Sequence, residues 1–273
     1  MGRAIAAPPL PTAFSFAFLG SALRVATTDP NASRLLETAF RPVQCAAAPP
    51  GMHPMSVRIP LSGDFTAAFY AVRDVFASFC ADIAHRFAIY GGCAAVENRA
   101  FALLGDTTAG KTTLLLHLHR LGARFLGDES FLLAQDGTLN AFPRLPALRE
   151  PALRLLDPAL REAIRTCPHY ERFPAGRLWF ALPPEHLLNV RPDGEPRRLR
   201  AVFAVERART SGVDALAPRD LLHLMVRRSY RKPQTLESLA RLRRALADVR
   251  GYRLRLADPQ TGARAVLEAL KCA

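Results

Sequence analysis

Gly105-Asp106-Thr107-Thr108-Ala109-Gly110-Lys111-Thr112 fits the pattern G-x-x-x-x-G-K-[ST] at every position. An apolar run, Ala100-Phe101-Ala102-Leu103-Leu104, precedes it and has the length and composition of a buried strand. Thr113-Leu114-Leu115-Leu116-His117-Leu118-His119 follows and reads as the start of a helix. In a strand–loop–helix unit of this kind, backbone N–H groups converge on an anion and the helix dipole adds positive potential. The segment from Gly105 to Thr113 is therefore expected to cradle the phosphates of a nucleotide. Lys111 would reach the outer phosphates, and the Thr112 hydroxyl would take a Mg²⁺ position. The cofactors implied are ATP and Mg²⁺.

Working outward, the helix that opens at Lys111 is expected to run to about Leu121 and stop at Gly122, a C′ glycine. Arg124-Phe125-Leu126 reads as a short strand that delivers Asp128 and Glu129 at its C-terminal end. The two acids lie seventeen and eighteen residues after Lys111. A phosphotransferase of this kind needs a carboxylate near the metal, and transfer to an alcohol needs a base near the acceptor hydroxyl. Adjacent acids at a strand end could supply both; by spacing alone they could equally be a solvated turn.

The rest of the chain reads as mixed α and β. Residues 13–19 and 22–27 resemble two strands, Asn31 to Phe40 a short helix with Asp29 or Asn31 at its cap, and residues 55–59 another strand. Phe65, Ala68, Phe69, Val72, Val75, Phe76, Phe79, Cys80 and Ile83 recur at spacings of three and four, the stripe of an amphipathic helix packed on a core. Residues 86–97 and 100–104 read as paired strands turning around Glu97-Asn98-Arg99. Asp136-Gly137 marks a hairpin between Phe131-Leu132-Leu133 and Leu139-Asn140-Ala141-Phe142. The proline-rich stretch 143–195 gives no clear pattern. Residues 201–205 are strand-like. Residues 235–249 read as a helix with Leu236, Leu239, Leu242, Leu246 and Val249 inward and Glu237/Arg241 and Arg244/Asp248 paired outside. A strand at 252–256 and a helix at 262–271 close the chain.

The chain has 273 residues, 49% of them hydrophobic, enough for one large domain or a core domain with an appendage. Its five cysteines form no C-x-x-C pair, which disfavours a disulfide framework or a zinc site and suits a reducing cytoplasm. No uninterrupted apolar run approaches the roughly 20 residues of a membrane span, so no membrane partner is expected. The net charge is +13. Residues 187–273 alone hold 17 Arg and 2 Lys against 9 acidic residues. That basic third is either a solvated surface or an attractor for an acidic partner; no nucleic-acid-binding motif accompanies it, so nucleic acid is disfavoured. Arg227, Arg228, Arg231 and Lys232 form a cluster that could clamp a phosphate or an acidic peptide, or simply be a solvated turn. Arg144 and Arg149 by themselves read as surface arginines. His117 and His119 do not share a helix face and read as structural.

The P-loop together with Gly122-Ala123-Arg124-Phe125-Leu126-Gly127-Asp128-Glu129 resembles the HPr kinase/phosphorylase family, and most nearly its diverged HPr-kinase-like members, some of which occur in gene clusters for lasso peptides. The likeness spans about residues 86–145. It implies an α/β fold: a P-loop kinase core of HPr kinase/phosphoenolpyruvate carboxykinase type, a mixed sheet with flanking helices, over residues 61–273. A small N-terminal α+β region would occupy residues 1–60. By the same resemblance, Asp128 would be the base that takes a serine proton. Glu129 would help hold Mg²⁺, where the family usually has Asp. A contact of Arg144 or Arg149 to phosphate or to an acceptor carboxylate is implied only by this resemblance. The partner would be a peptide or protein carrying a serine hydroxyl, with a lasso-type precursor as the specific expectation, and homo-oligomers occur in the family. The sequence departs from the family at Tyr90, where a histidine is common, and lacks a Glu-Ile-Arg-Gly-Leu-Gly-like segment, so recognition of HPr itself is not expected. The rival expectations are a non-catalytic nucleotide-dependent regulator and a small-molecule kinase.

Overall fold

The computed structural model describes residues 10–271 except 41–42, 48, 62–63, 143–146, 157, 166–168, 173–176 and 182–195. At its N-terminal end, β1 (Thr12–Phe18) and β2 (Ser21–Thr27) form an antiparallel hairpin in which Phe14, Phe16 and Phe18 point inward at every second position. Helix α1 (Pro30–Ala39) takes Asp29 rather than Asn31 as its cap: the Asp29 carboxylate accepts from the Ala32 amide at 2.8 Å, and Pro30 opens the first turn. Strand β3 (Gln44–Cys45) adds to β1, and β4 (Met55–Ile59) runs parallel to β2, giving the order β3-β1-β2-β4. Helix α2 (Phe65–Asp82), capped by Asp64, lays Phe69, Val72, Phe76, Phe79 and Cys80 on this sheet as its spacing predicts. Phe40 stacks on Phe76 at 3.7 Å, and Ala88, Leu132 and Phe142 from the following sheet join the same cluster.

The second sheet is built from β5 (Arg86–Tyr90), β6 (Gly92–Val96), β7 (Arg99–Leu104), β8 (Arg124–Gly127), β9 (Ser130–Ala134) and β10 (Thr138–Ala141), with α3 (Lys111–Arg120) between β7 and β8. Next come β11 (Ala147–Arg149), α4 (Glu150–Leu153), α5 (Pro158–Arg165), β12 (His169–Arg172) and β13 (Arg177–Ala181). The three strands of that group form a separate antiparallel sheet in the order β11-β13-β12. The chain then returns to the large sheet with β14 (Arg197–Arg207) and β15 (Gly212–Leu216), followed by α6 (Pro218–Arg228), α7 (Leu236–Ala245), β16 (Arg250–Leu256) and α8 (Pro259–Lys271). The nine-stranded sheet has the order β5-β9-β10-β14-β7-β6-β8, with β16 beside β14 and β15 beside β16. Its centre, β7, β14 and β16, is parallel, and the other pairings are antiparallel.

A parallel centre must be covered on both faces, and it is. Phe101, Leu103, Phe203, Val205, Leu254 and Leu256 face α3 and α8. Ala100, Ala102, Leu104 and Val202 face α6 and α7. The fold is thus a mixed α/β sheet flanked by helices. Among the described residues, no helix is long and apolar enough to cross a membrane.

Three local expectations need correction. The apolar stretch 86–97 is two strands, not one. It breaks at Gly91, after which β6 pairs with β7 and β8 while β5 pairs with β9. A Cβ at Gly91 would stand 2.9 Å from the Leu103 carbonyl oxygen, so the chain can change partners there only without a side chain. Leu236 does not face inward: it is the first residue of α7, ahead of the buried stripe, and is 87% exposed. Asp248 pairs with Arg198 on β14 at 2.9 Å rather than with Arg244, because α7 has already ended. The Glu237/Arg241 pair forms as expected, at 3.1 Å.

Candidate active site

The site lies at the C-terminal ends of the parallel strands, where β7 gives way to the glycine loop. Gly110 adopts φ +97° at the N-cap of α3, a left-handed conformation that only glycine takes cheaply. It turns the chain so that the first amides of α3 face the mouth of the loop. Thr108 also has positive φ, +78°, which is costly for a β-branched residue. Its carbonyl accepts from Arg207 Nε at 3.1 Å, so the end of β14 holds the strained loop in place.

Lys111 is 7% exposed, and its Nζ donates to the carbonyls of Gly105 at 3.0 Å and Asp106 at 2.9 Å. The ammonium also sits 4.9 Å from the centre of the Tyr90 ring. Burial lowers its pKa; Asp128 and Asp106 oppose that shift, and the charge of Arg228 adds to it. Beside it, Thr112 Oγ1 donates to Asp128 Oδ2 at 2.7 Å. Asp128 is 3% exposed at the end of β8, and β8 reaches the loop because it pairs with β6, the neighbour of β7.

Glu129 enters differently. It has φ +68°, and its backbone carbonyl accepts from the Gly91 amide at 3.1 Å and from the Tyr230 hydroxyl at 3.1 Å. The Tyr230 hydroxyl is also 2.8 Å from Ser130 Oγ. Asp128 thus reaches the loop by its side chain, while the position of Glu129 is fixed through its backbone. Tyr90 borders the loop: its hydroxyl is 3.5 Å from Thr107 Oγ1, and its ring meets Tyr230 edge-on at 6.3 Å.

The C-terminal basic cluster divides. Arg228, at the end of α6, donates through Nη2 to Asp106 Oδ1 at 2.7 Å, and this bond holds the Asp106 carboxyl below the usual carboxylate range. Arg231 instead pairs with Asp82 on α2 at 2.7 Å. The cluster was visible in sequence; its split was not, because Arg228 and Asp106 are 122 residues apart. Tyr230 carried no sequence signal. His117 and His119 hydrogen-bond to the carbonyls of Leu155 and Ala123 at 2.7 and 3.2 Å, as structural histidines do. Arg144 lies outside the described residues, as does the side chain of Arg149, whose backbone ends β11. Cys45, Cys80 and Cys93 are free thiols, and burial pushes Cys80 up to about 12.

The donors present suit a magnesium nucleotide. A hydroxyl and a carboxylate are hard oxygen ligands, and Mg²⁺ is usually held by one or two such groups together with phosphate. Among the described residues, no cluster of three or more His, Cys, Asp and Glu forms an all-protein cage. The glycine loop, the α3 N-terminus and Lys111 suit the phosphates.

No protein-family model matches the chain, and no curated protein matches it. Among solved structures it is similar to the Hpr(Ser) kinase/phosphatase from Coxiella burnetii, with 8% identity over 68% of this chain and 97% of that one and a TM-score of 0.31. The chemistry of the site rests on the geometry above.

Proposed function

We propose that the chain is an ATP- and Mg²⁺-dependent phosphotransferase built on a P-loop kinase core of HPr kinase type. The observation that carries this is the 2.7 Å hydrogen bond from Thr112 to the buried Asp128, beside a buried Lys111 whose ammonium rests on the loop's own carbonyls. On nucleotide binding, Lys111 exchanges those carbonyls for phosphate oxygens. Amides from Gly105 to Thr113 hold the phosphates in line. Thr112 and Asp128, with Glu129, are the residues that would hold the metal. When bound, Mg²⁺ supplies neutralisation of charge on the phosphate oxygens. Asp128 orients the acceptor hydroxyl and takes its proton as the new O–P bond forms and the bond to the leaving ADP oxygen breaks. Most of the rate enhancement would come from positioning and charge neutralisation.

The acceptor is proposed, on the sequence resemblance, to be a serine hydroxyl on a peptide or protein, with a lasso-type precursor peptide as the specific candidate. A small N-terminal region ahead of the kinase core, a cytoplasmic location and homo-oligomeric assembly belong to the same proposal. Asp128→Asn tests it with labelled ATP and candidate peptides. Transfer should fall by about 10²–10⁴-fold, the usual worth of a positioned base, while ATP binding is largely kept. Full activity in the variant would remove Asp128 from the chemistry.

A second reading, a nucleotide-dependent regulator without transfer, is favoured by Tyr90. Its ring stands 4.9 Å from the Lys111 ammonium, at the position where the family that the chain resembles commonly has a histidine. A regulator would bind ATP and yield no phosphorylated product from any peptide or metabolite offered.

A further inference from the structure

The Asp106–Arg228 pair is not needed to close the loop. Gly110 and the Arg207 bond to Thr108 already shape it, and the Ala109 amide closes a turn on the Asp106 carbonyl at 3.1 Å. Arg228 itself is firmly based. The residue after it, Ser229, bridges to Ile89, and the Tyr230 amide donates to the Ala88 carbonyl at 2.9 Å, so the end of α6 is stitched to β5. The Arg228 side chain is 18% exposed, whereas that of its partner Asp106 is 86% exposed. Within the described residues, Arg228 Nε is buried without a hydrogen-bond partner. A largely buried guanidinium with an idle donor is therefore held at the loop by a carboxylate that water solvates from its other sides.

Two cations also converge on Asp106, Lys111 on its carbonyl at 2.9 Å and Arg228 on its carboxylate at 2.7 Å, and their like charges repel. A polyanion relieves that repulsion. A guanidinium fork matches phosphate oxygens better than one exposed carboxylate oxygen does, because it can donate two parallel bonds.

We propose that Arg228 is a phosphate-reading residue kept in reserve by Asp106: when a nucleoside triphosphate fills the loop, Arg228 leaves Asp106 for the terminal phosphate, and a diphosphate does not draw it away. The pair thereby makes the site selective for triphosphate over diphosphate. This rests on the nucleotide-binding reading above. The Asp106 carboxylate then competes with the ligand for Arg228, while the Asp106 amide stays part of the phosphate cradle.

Calorimetric titration of ATP, of a non-hydrolysable ATP analogue and of ADP, each with Mg²⁺, into the full chain and its variants tests the exchange without relying on turnover. Arg228→Gln should weaken ATP and the analogue on the order of tenfold, the loss of one charge-assisted hydrogen bond, and change ADP affinity little. Arg228→Lys, which keeps the charge and loses the fork, should fall between the two. Asp106→Asn should move ATP affinity the opposite way, tightening it several-fold on the order expected for removing a like charge from beside a phosphate. If both Asp106→Asn and Arg228→Gln weaken ATP and ADP alike, the pair is merely structural and the proposal is overturned. If the wild-type chain binds ADP and ATP but Arg228→Gln leaves their ratio unchanged, the exchange alone is wrong. If wild type takes up neither nucleotide, the nucleotide-binding reading fails and this inference with it. Melting curves of the variants identify any that are unfolded, and Asp106→Asn, at an exposed position, keeps the test decisive even if Arg228→Gln does not fold.

Discussion

The N-terminal sheet and the end of the nine-stranded sheet bury polar groups for opposite purposes. In the N-terminal unit the core is a cluster of phenylalanines, with Phe40, Phe76 and Phe142 within 6.2 Å of one another by ring centres. Two of its buried polar residues, Thr27 and Asp29, bond within one turn: the Asp29 amide donates to Thr27 Oγ1 at 3.0 Å, and the Asp29 carboxylate caps α1. At the P-loop, the buried Lys111 and Asp128 reach to other elements and to loop carbonyls that a phosphate could replace. A polar group that closes on its own turn stabilises a fold. One held at the mouth of a parallel sheet, as Lys111 is on the loop carbonyls and Asp128 on Thr112 of α3, is available to a ligand.

Substitutions can break or sharpen that contrast. Phe76→Ala should cost the most stability, about 3–5 kcal/mol from the emptied ring site, read by denaturant unfolding, with ATP affinity unchanged. A matching loss of affinity would mean that the shared core through Leu132 and Phe142 couples the two regions. Lys111→Ala should do the reverse. It should weaken ATP by about 2–5 kcal/mol, the range for truncating a buried charged partner, while the melting temperature stays near that of wild type. Asp29→Ala should remove about 1 kcal/mol of stability through the lost cap, with no effect on nucleotide titrations. Leu236→Ala, at an exposed helix start, should change stability by no more than about 0.5 kcal/mol; a cost several times larger would mean that another surface covers Leu236.

The sequence made the strand–glycine loop–helix unit legible because its signals are local: a glycine pattern, an apolar strand before it and a leucine-rich helix after it. The stripe of α2 was readable for the same reason, and the start of α1 to within the choice between Asp29 and Asn31 as its cap. The division at Gly91 was not. Apolar residues run on from β5 into β6, and only the close approach of the Leu104 side chain and the Leu103 carbonyl explains the glycine. Helix α6 was missed although Pro218 and Asp220 are proper start signals, because its buried face is thin, with only Leu221 and Met225 fully enclosed. The contacts that finish the site, Arg207 to Thr108, Arg228 to Asp106 and Tyr230 to Glu129, join residues about a hundred or more positions apart and become visible only once β14 and α6 pack beside β7.

The most direct measurement is a calorimetric titration of ATP into the purified chain with and without Mg²⁺. The arrangement of Lys111, Thr112 and Asp128 predicts saturable, one-site uptake that tightens when Mg²⁺ is present and is strongly weakened in Lys111→Ala. Absence of uptake by the folded wild-type chain, or uptake that Lys111→Ala leaves intact, would contradict it.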